Sequence, residues 1–126
     1  MTSVLIVDDE LFIVELYRDI LQLRGYKVMG TAFDGEEAIR RYSDSFEKPD
    51  VLIMDHRMPV MNGVEATREI MRLNPNQKVI FVSADVLVEK EAREAGAMEF
   101  LPKPFRMDDL IERMQKVSTA STLKAL

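Results

Sequence analysis

Val51-Leu52-Ile53-Met54-Asp55-His56-Arg57-Met58-Pro59 is the stretch whose reading decides the fold. Its leading apolar run is too short for a buried helix and follows Pro49-Asp50, so it reads as a strand covered on both faces. A carboxylate stands where the run stops. In open parallel sheets ligands bind beyond the carboxyl ends of the strands, which puts Asp55 where chemistry belongs. The chain then turns at Met58-Pro59 and restarts at Asn62-Gly63, keeping that strand end uncovered.

The pattern occurs again upstream. Ser3-Val4-Leu5-Ile6-Val7 is a second short apolar run, and it ends in Asp8-Asp9-Glu10. Phe12, Leu16, Ile20 and Leu23 follow at helical spacing, widened by Ile13 and Leu21, up to a stop at Gly25. Lys27–Ala32 reads as a strand. Asp34-Gly35-Glu36-Glu37 opens the next helix with the pattern of a capping box, and Ala38, Ile39 and Tyr42 give that helix an apolar edge.

Beyond Asp55, the residues Val64, Thr67, Ile70, Met71 and Leu73 lie near one helical face, and Asn74-Pro75-Asn76 ends it. Lys78-Val79-Ile80-Phe81-Val82 is a fourth strand, with Ser83 directly after it. Val88, Ala92 and Ala95 form the inner row of a polar helix, while Val86 and Leu87 have no evident buried partner. A short strand at Met98–Leu101 breaks at Pro102-Lys103-Pro104, and Leu110, Ile111, Met114 and Val117 define a last helix. Periodicity is lost at Ser118-Thr119-Ala120-Ser121-Thr122. The expected division is therefore a domain over residues 1–117 and a tail or linker start over 118–126.

Strands alternating with helices predict an α/β protein: a doubly wound, five-stranded parallel sheet in the order 2-1-3-4-5, flavodoxin-like. A chain of 126 residues, 47% hydrophobic, is the size of one such domain. No apolar run approaches the roughly 20 residues of a membrane span, and no signal-peptide layout is present. The net charge of −5, with 17 dispersed Lys and Arg residues, argues against direct nucleic-acid binding. With no cysteine, disulfides and thiolate metal sites are excluded, and a cytoplasmic setting is the default expectation.

Taken singly, Asp8 or Asp9 reads as a helix cap, Ser83 as a loop hydroxyl and Lys103 as a surface cation. The 2-1-3-4-5 order changes that, because it makes strands 1 and 3 neighbours and gathers Asp8, Asp9 and Asp55 at one edge of the sheet. Crowded carboxylates raise one another's pKa unless a cation intervenes. Oxygen donors with a single histidine in the whole chain suit Mg²⁺ better than zinc. Together with Lys103 such a site accepts an anion, and Asp55 is placed to act as nucleophile in phosphoryl transfer, with Ser83 and Lys103 on the phosphoryl oxygens. The chain has no P-loop and no G-x-G-x-x-G motif, which leaves a small or a protein phosphodonor.

Val7-Asp8-Asp9-Glu10, Met54-Asp55-His56-Arg57-Met58-Pro59 with Asn62-Gly63, Ser83-Ala84 and Lys103-Pro104-Phe105 together resemble the receiver domain of two-component response regulators, of the chemotaxis-regulator type, over residues 3 to about 117. The resemblance implies that Asp55 accepts a phosphoryl group from a sensor histidine kinase or phosphotransfer protein. It implies that Asp8, Asp9, Asp55 and the backbone carbonyl of Arg57 serve Mg²⁺, with Asp8 acting mainly through water. It also implies a cis bond between Lys103 and Pro104, and a switch in which Phe100 moves inward as Ser83 is drawn to the phosphoryl group. Ser83 stands where Thr is commoner and Phe100 where Tyr is, so a phenolic hydrogen bond is not available.

At the positions two after the acceptor and two after Ser83, Arg57 and Asp85 are expected to pair across the entrance and tune loss of the phosphoryl group. His56 is read as an exposed neighbour. The face made by the fourth helix, fifth strand and fifth helix would meet a downstream protein or output domain, with Val86, Leu87 and Val88 as contacts, or support a homodimer formed on phosphorylation. The chain would catalyse only its own phosphorylation and dephosphorylation. Two other functions fit the same residues: a phosphate-independent scaffold, which the intact acidic set disfavours, and an aspartyl-phosphate phosphatase. The latter would want a carboxylate where Arg57 stands.

Overall fold

The computed structural model describes residues 1–125, and side chains as far as residue 119. Its elements run β1 (Ser3–Val7), α1 (Leu11–Leu23), β2 (Lys27–Ala32), α2 (Gly35–Asp44), β3 (Val51–Asp55), α3 (Gly63–Leu73) and β4 (Lys78–Ser83). A 3-10 turn (Val86–Val88), α4 (Glu89–Ala95), β5 (Glu99–Pro102) and α5 (Met107–Ala125) follow. All neighbouring strands are parallel and the order is β2-β1-β3-β4-β5, as the sequence predicts.

Alternate residues of the central strands feed two cores. Val7, Leu52, Met54, Val79 and Phe81 face α2, α3 and α4, whereas Ile6, Ile53, Ile80 and Val82 face α1 and α5. This two-sided burial is why those strands are apolar without interruption. Asp34 accepts from the Glu37 amide at 2.7 Å, and Asn62 from the Glu65 amide at 2.9 Å, so α2 and α3 start at side-chain caps.

The inner face of α1 differs from the expected stripe. Val14, Tyr17 and Leu21 are buried, while Phe12 is 75% and Leu23 80% exposed. Leu73 likewise points outward from α3. The last helix continues past Val117 to Ala125 where a tail was expected, and residue 126 lies outside the described residues.

The β3–α3 loop contains the one positive-φ residue other than glycine among the described residues: Val60, at 68°. Met61 N–H donates to Pro59 C=O at 2.7 Å across it, closing a three-residue γ-turn. A β-branched residue there costs about 1–2 kcal/mol, and glycine returns about 0.5–1 of that through unfolded-chain entropy. Val60→Gly is therefore expected to raise stability by roughly 0.5–1 kcal/mol, read as a higher urea midpoint at unchanged m-value.

Candidate functional site

The adjacency of β1 and β3 places their two following carboxylates side by side. Asp8 is fully buried and Asp55 is 6% exposed. The Asp8 backbone is fixed by its N–H to the Ala32 carbonyl at 3.0 Å, and its Oδ1 accepts from the Glu10 amide at 2.9 Å. Lys103 comes in from the end of β5, and its Nζ lies 3.0 Å from Asp55 Oδ1 and 3.4 Å from Asp8 Oδ2. The backbone N–H of Lys103 donates to the Ser83 carbonyl at 2.9 Å, tying the ends of β4 and β5 together. The Lys103-Pro104 bond is cis, as the resemblance implied.

Burial, then the charge of Asp8, pushes the Asp55 carboxyl up to about 6, although Lys103 pulls the other way. Burial also raises Asp8, opposed by the Glu10 amide and by Lys103. Burial disfavours the Lys103 ammonium, but the hydrogen bond and charge of Asp55 and the charge of Asp8 outweigh it, so its pKa is raised. The protein alone thus leaves its carboxylates short of positive charge.

Ligand oxygens of Asp8, Asp9 and Glu10 lie within 4.8 Å of one another, with Asp55 attached through Lys103. Glu10, part of the same acidic run in the sequence, lies beside this set with its side chain exposed. Hard oxygen donors around under-compensated buried carboxylates fit Mg²⁺. The loop carrying the Arg57 carbonyl is closed at its base by the Gly63 N–H on the His56 carbonyl at 2.9 Å. Gly63 packs so closely there that a Cβ would stand 2.2 Å from the Asp55 carbonyl oxygen. In the sequence Asn62-Gly63 reads only as a restart, and no signal of that contact is visible.

Ser83 is 3% exposed, and its Oγ accepts from the Asp85 amide at 3.0 Å. Asp85 Oδ1 in turn accepts from the Leu87 amide at 3.0 Å and caps the 3-10 turn. Arg57 is exposed, and among the described residues it forms no ion pair with Asp85. The pairing expected across the entrance is therefore not made in this structure, where Asp85 turns Oδ1 to the helix start.

Phe100 is already inside, 5% exposed and stacked on Phe81 with ring centroids 6.0 Å apart. It already holds an inward position here, so the swing expected of it would start from a buried ring. His56 is half-buried rather than exposed, tilted against Phe81 at 5.6 Å, and burial lowers its pKa. Val86 and Leu87 are exposed while Val88 is buried, so the last drops out as a contact residue. Beside the carboxylates an apolar hollow of about 440 Å³ opens between α1 and the β5–α5 loop, walled by Ile13, Leu16, Tyr17, Phe105 and Met107. No helix among the described residues is long and apolar enough to cross a membrane.

Residues 4–115 match a protein-family model, the response regulator receiver domain. The chemotaxis protein CheY of Thermotoga maritima is 44% identical over 117 residues, covering 91% of this chain and 96% of its own length. Among solved structures, a receiver domain protein from Clostridium thermocellum superposes with a TM-score of 0.89 at 29% identity, covering 98% of both chains. The CheX–CheY complex of Borrelia burgdorferi with BeF3 and Mg²⁺ matches with a TM-score of 0.87 at 33% identity, over 92% of this chain and 88% of that one.

Proposed function

Because the chain belongs to the receiver domains of response regulators, we propose that it is the phosphoacceptor module of a two-component system, with Asp55 as the acceptor. The observation that carries this is the pairing of Lys103 with the buried Asp55 and Asp8 at the point where strand order reverses. The donor is a phosphohistidine on a sensor kinase or phosphotransfer protein. A carboxylate oxygen of Asp55 attacks phosphorus, a P–O bond forms as the P–N bond breaks, and the imidazole leaves and takes up a proton. The exposed Leu11 and Phe12 and the apolar hollow next to Lys103 suit a protein donor.

Asp8, Asp9, Asp55 and the Arg57 carbonyl would hold Mg²⁺, which supplies positive charge against the phosphoryl oxygens when bound. Lys103 exchanges its bond to Asp55 for one to the new phosphoryl group. Ser83 donates its hydroxyl proton to a phosphoryl oxygen while still accepting from the Asp85 amide. Movement of Ser83 is therefore transmitted through Asp85 to the 3-10 turn and to the exposed Val86 and Leu87, with Phe100 holding its place. The α4–β5–α5 face then meets a downstream protein or output domain, or a second copy of the phosphorylated chain. The protein works in the cytoplasm, binds no nucleic acid directly, and turns over no external substrate.

Transfer from a radiolabelled, autophosphorylated histidine kinase tests the reading. Base-labile label is expected on the wild type and absent from Asp55→Asn; label on both, or on neither, contradicts it. Arg57 and Asp85 tune the lifetime of the acyl phosphate, and Arg57→Ala is expected to shorten it severalfold by opening the site to water. An unchanged decay rate would remove Arg57 from that role.

A further inference from the structure

We propose that Gly35, on a helix that supplies no ligand, is a positioning residue that braces the loop carrying the Arg57 carbonyl; the inference rests on the receiver reading for its effect on metal binding. The loop's tip is the γ-turn at Val60, a conformation a β-branched residue does not hold unaided. What holds it comes from α2. The Gly35 N–H, a first-turn donor with no partner in its own helix, donates to the Met61 carbonyl at 3.1 Å.

The approach leaves no space for a side chain. A Cβ on Gly35 would stand 2.6 Å from Met61 O and 2.9 Å from both Cβ and Cγ of Met61. The positive-φ glycines are Gly25 and Gly96, so the backbone of Gly35 would accept any residue and only the close contact requires glycine. The helix end is itself immobilised, since Asp34 accepts from the Glu37 amide and Glu37 Oε2 from the Phe33 amide at 3.3 Å. The β2–α2 junction thus clamps the far side of a loop whose near side is fixed at His56 and Gly63. Any residue larger than glycine at 35 displaces that loop as a unit, and with it the Arg57 carbonyl.

The test is Gly35→Ala, read by calorimetric titration with MgCl₂ alone and by amide exchange at Met61 and Gly63 in metal-free protein. Expected are Mg²⁺ binding weaker by about tenfold, the usual scale for a group that orients a ligand, and faster exchange at both amides. Gly25→Ala is the control: at φ +88° with nothing within 4 Å, it strains the chain away from the site. It should lose stability and keep wild-type Mg²⁺ affinity. If Gly35→Ala does not fold, Asp34→Ala frees the helix end that carries the Gly35 N–H without adding bulk at the loop, and should shift both readouts in the same direction. Wild-type affinity and exchange in the altered protein, or an equal loss of affinity in Gly25→Ala, overturn the brace. Absence of Mg²⁺ binding in the wild type would instead count against the receiver reading, and the metal-free exchange rates would still decide the brace.

Discussion

Lys103→Met is expected to destabilise the metal-free protein by about 3 kcal/mol at pH 7. Lys103 is the one cation within reach of both Asp8 and Asp55 among the described residues, at 3.4 and 3.0 Å. Without it, two buried carboxylates face each other unpaired. Breaking a buried pair costs about 3–5 kcal/mol. The lower end applies because the Lys103 side chain is 22% exposed and water can partly replace it. Denaturant unfolding reads the loss. Addition of Mg²⁺ should restore part of it, since at about 100 times Kd a ligand contributes roughly 2.7 kcal/mol. A loss below about 1 kcal/mol would mean that the ammonium and the carboxylates interact far less than their spacing implies.

Asp55→Asn is expected to act in the opposite direction. The Asp55 carboxyl titrates near 6 in the folded protein against an ordinary 3.8. Between those pH values the native state binds more protons than the unfolded chain, so stability falls as pH rises through the window and the loss is complete above it. Two pH units correspond to about 3 kcal/mol, an upper figure because Asn keeps less of the bond to Lys103. A gain of about 2 kcal/mol at pH 7 is expected for metal-free Asp55→Asn, with a shallower fall between pH 4 and 6.5. Some slope should remain, because Asp8 is also raised. A variant less stable than wild type at neutral pH would show that Asp55 is favourably ionised in the resting protein, against the account given of its burial. The two substitutions thus separate the partners of one cluster: the acid is held at a cost, and the cation limits that cost.

The sheet and the site were legible because each strand is a short apolar run and three of the runs end in a polar group. Parallel order then placed Asp8, Asp55, Ser83 and Lys103 together. The face of α1 was not legible. Leu11, Phe12, Ile13, Val14, Leu16, Tyr17, Ile20, Leu21 and Leu23 surround much of that helix, so spacing by three and four selects more than one stripe. Only packing against Ile6, Ile53 and α5 chooses Val14, Tyr17 and Leu21.

The far end of α5 escaped for a different reason. Ser118-Thr119-Ala120-Ser121-Thr122 carries no apolar period, yet a helix already nucleated extends at one hydrogen bond per residue fixed. The brace at Gly35 and the contact of Gly63 with Asp55 are close approaches between segments distant in sequence. A glycine in a sequence reads as a turn or a cap, and which backbone presses against it emerges only when the loops are folded together. The inward Phe100 is of the same kind: its stacking on Phe81 follows from the β4–β5 register.

Intact mass after incubation with acetyl phosphate and Mg²⁺ tests the central claim most directly, with Asp55→Asn and metal-free wild type run beside it. A single phosphoryl adduct of about 80 Da is expected on the wild type in Mg²⁺, removed by hydroxylamine and missing from both controls. An adduct that survives in Asp55→Asn, or none on folded wild-type protein with Mg²⁺ bound, would contradict the assignment of Asp55 as the phosphoacceptor.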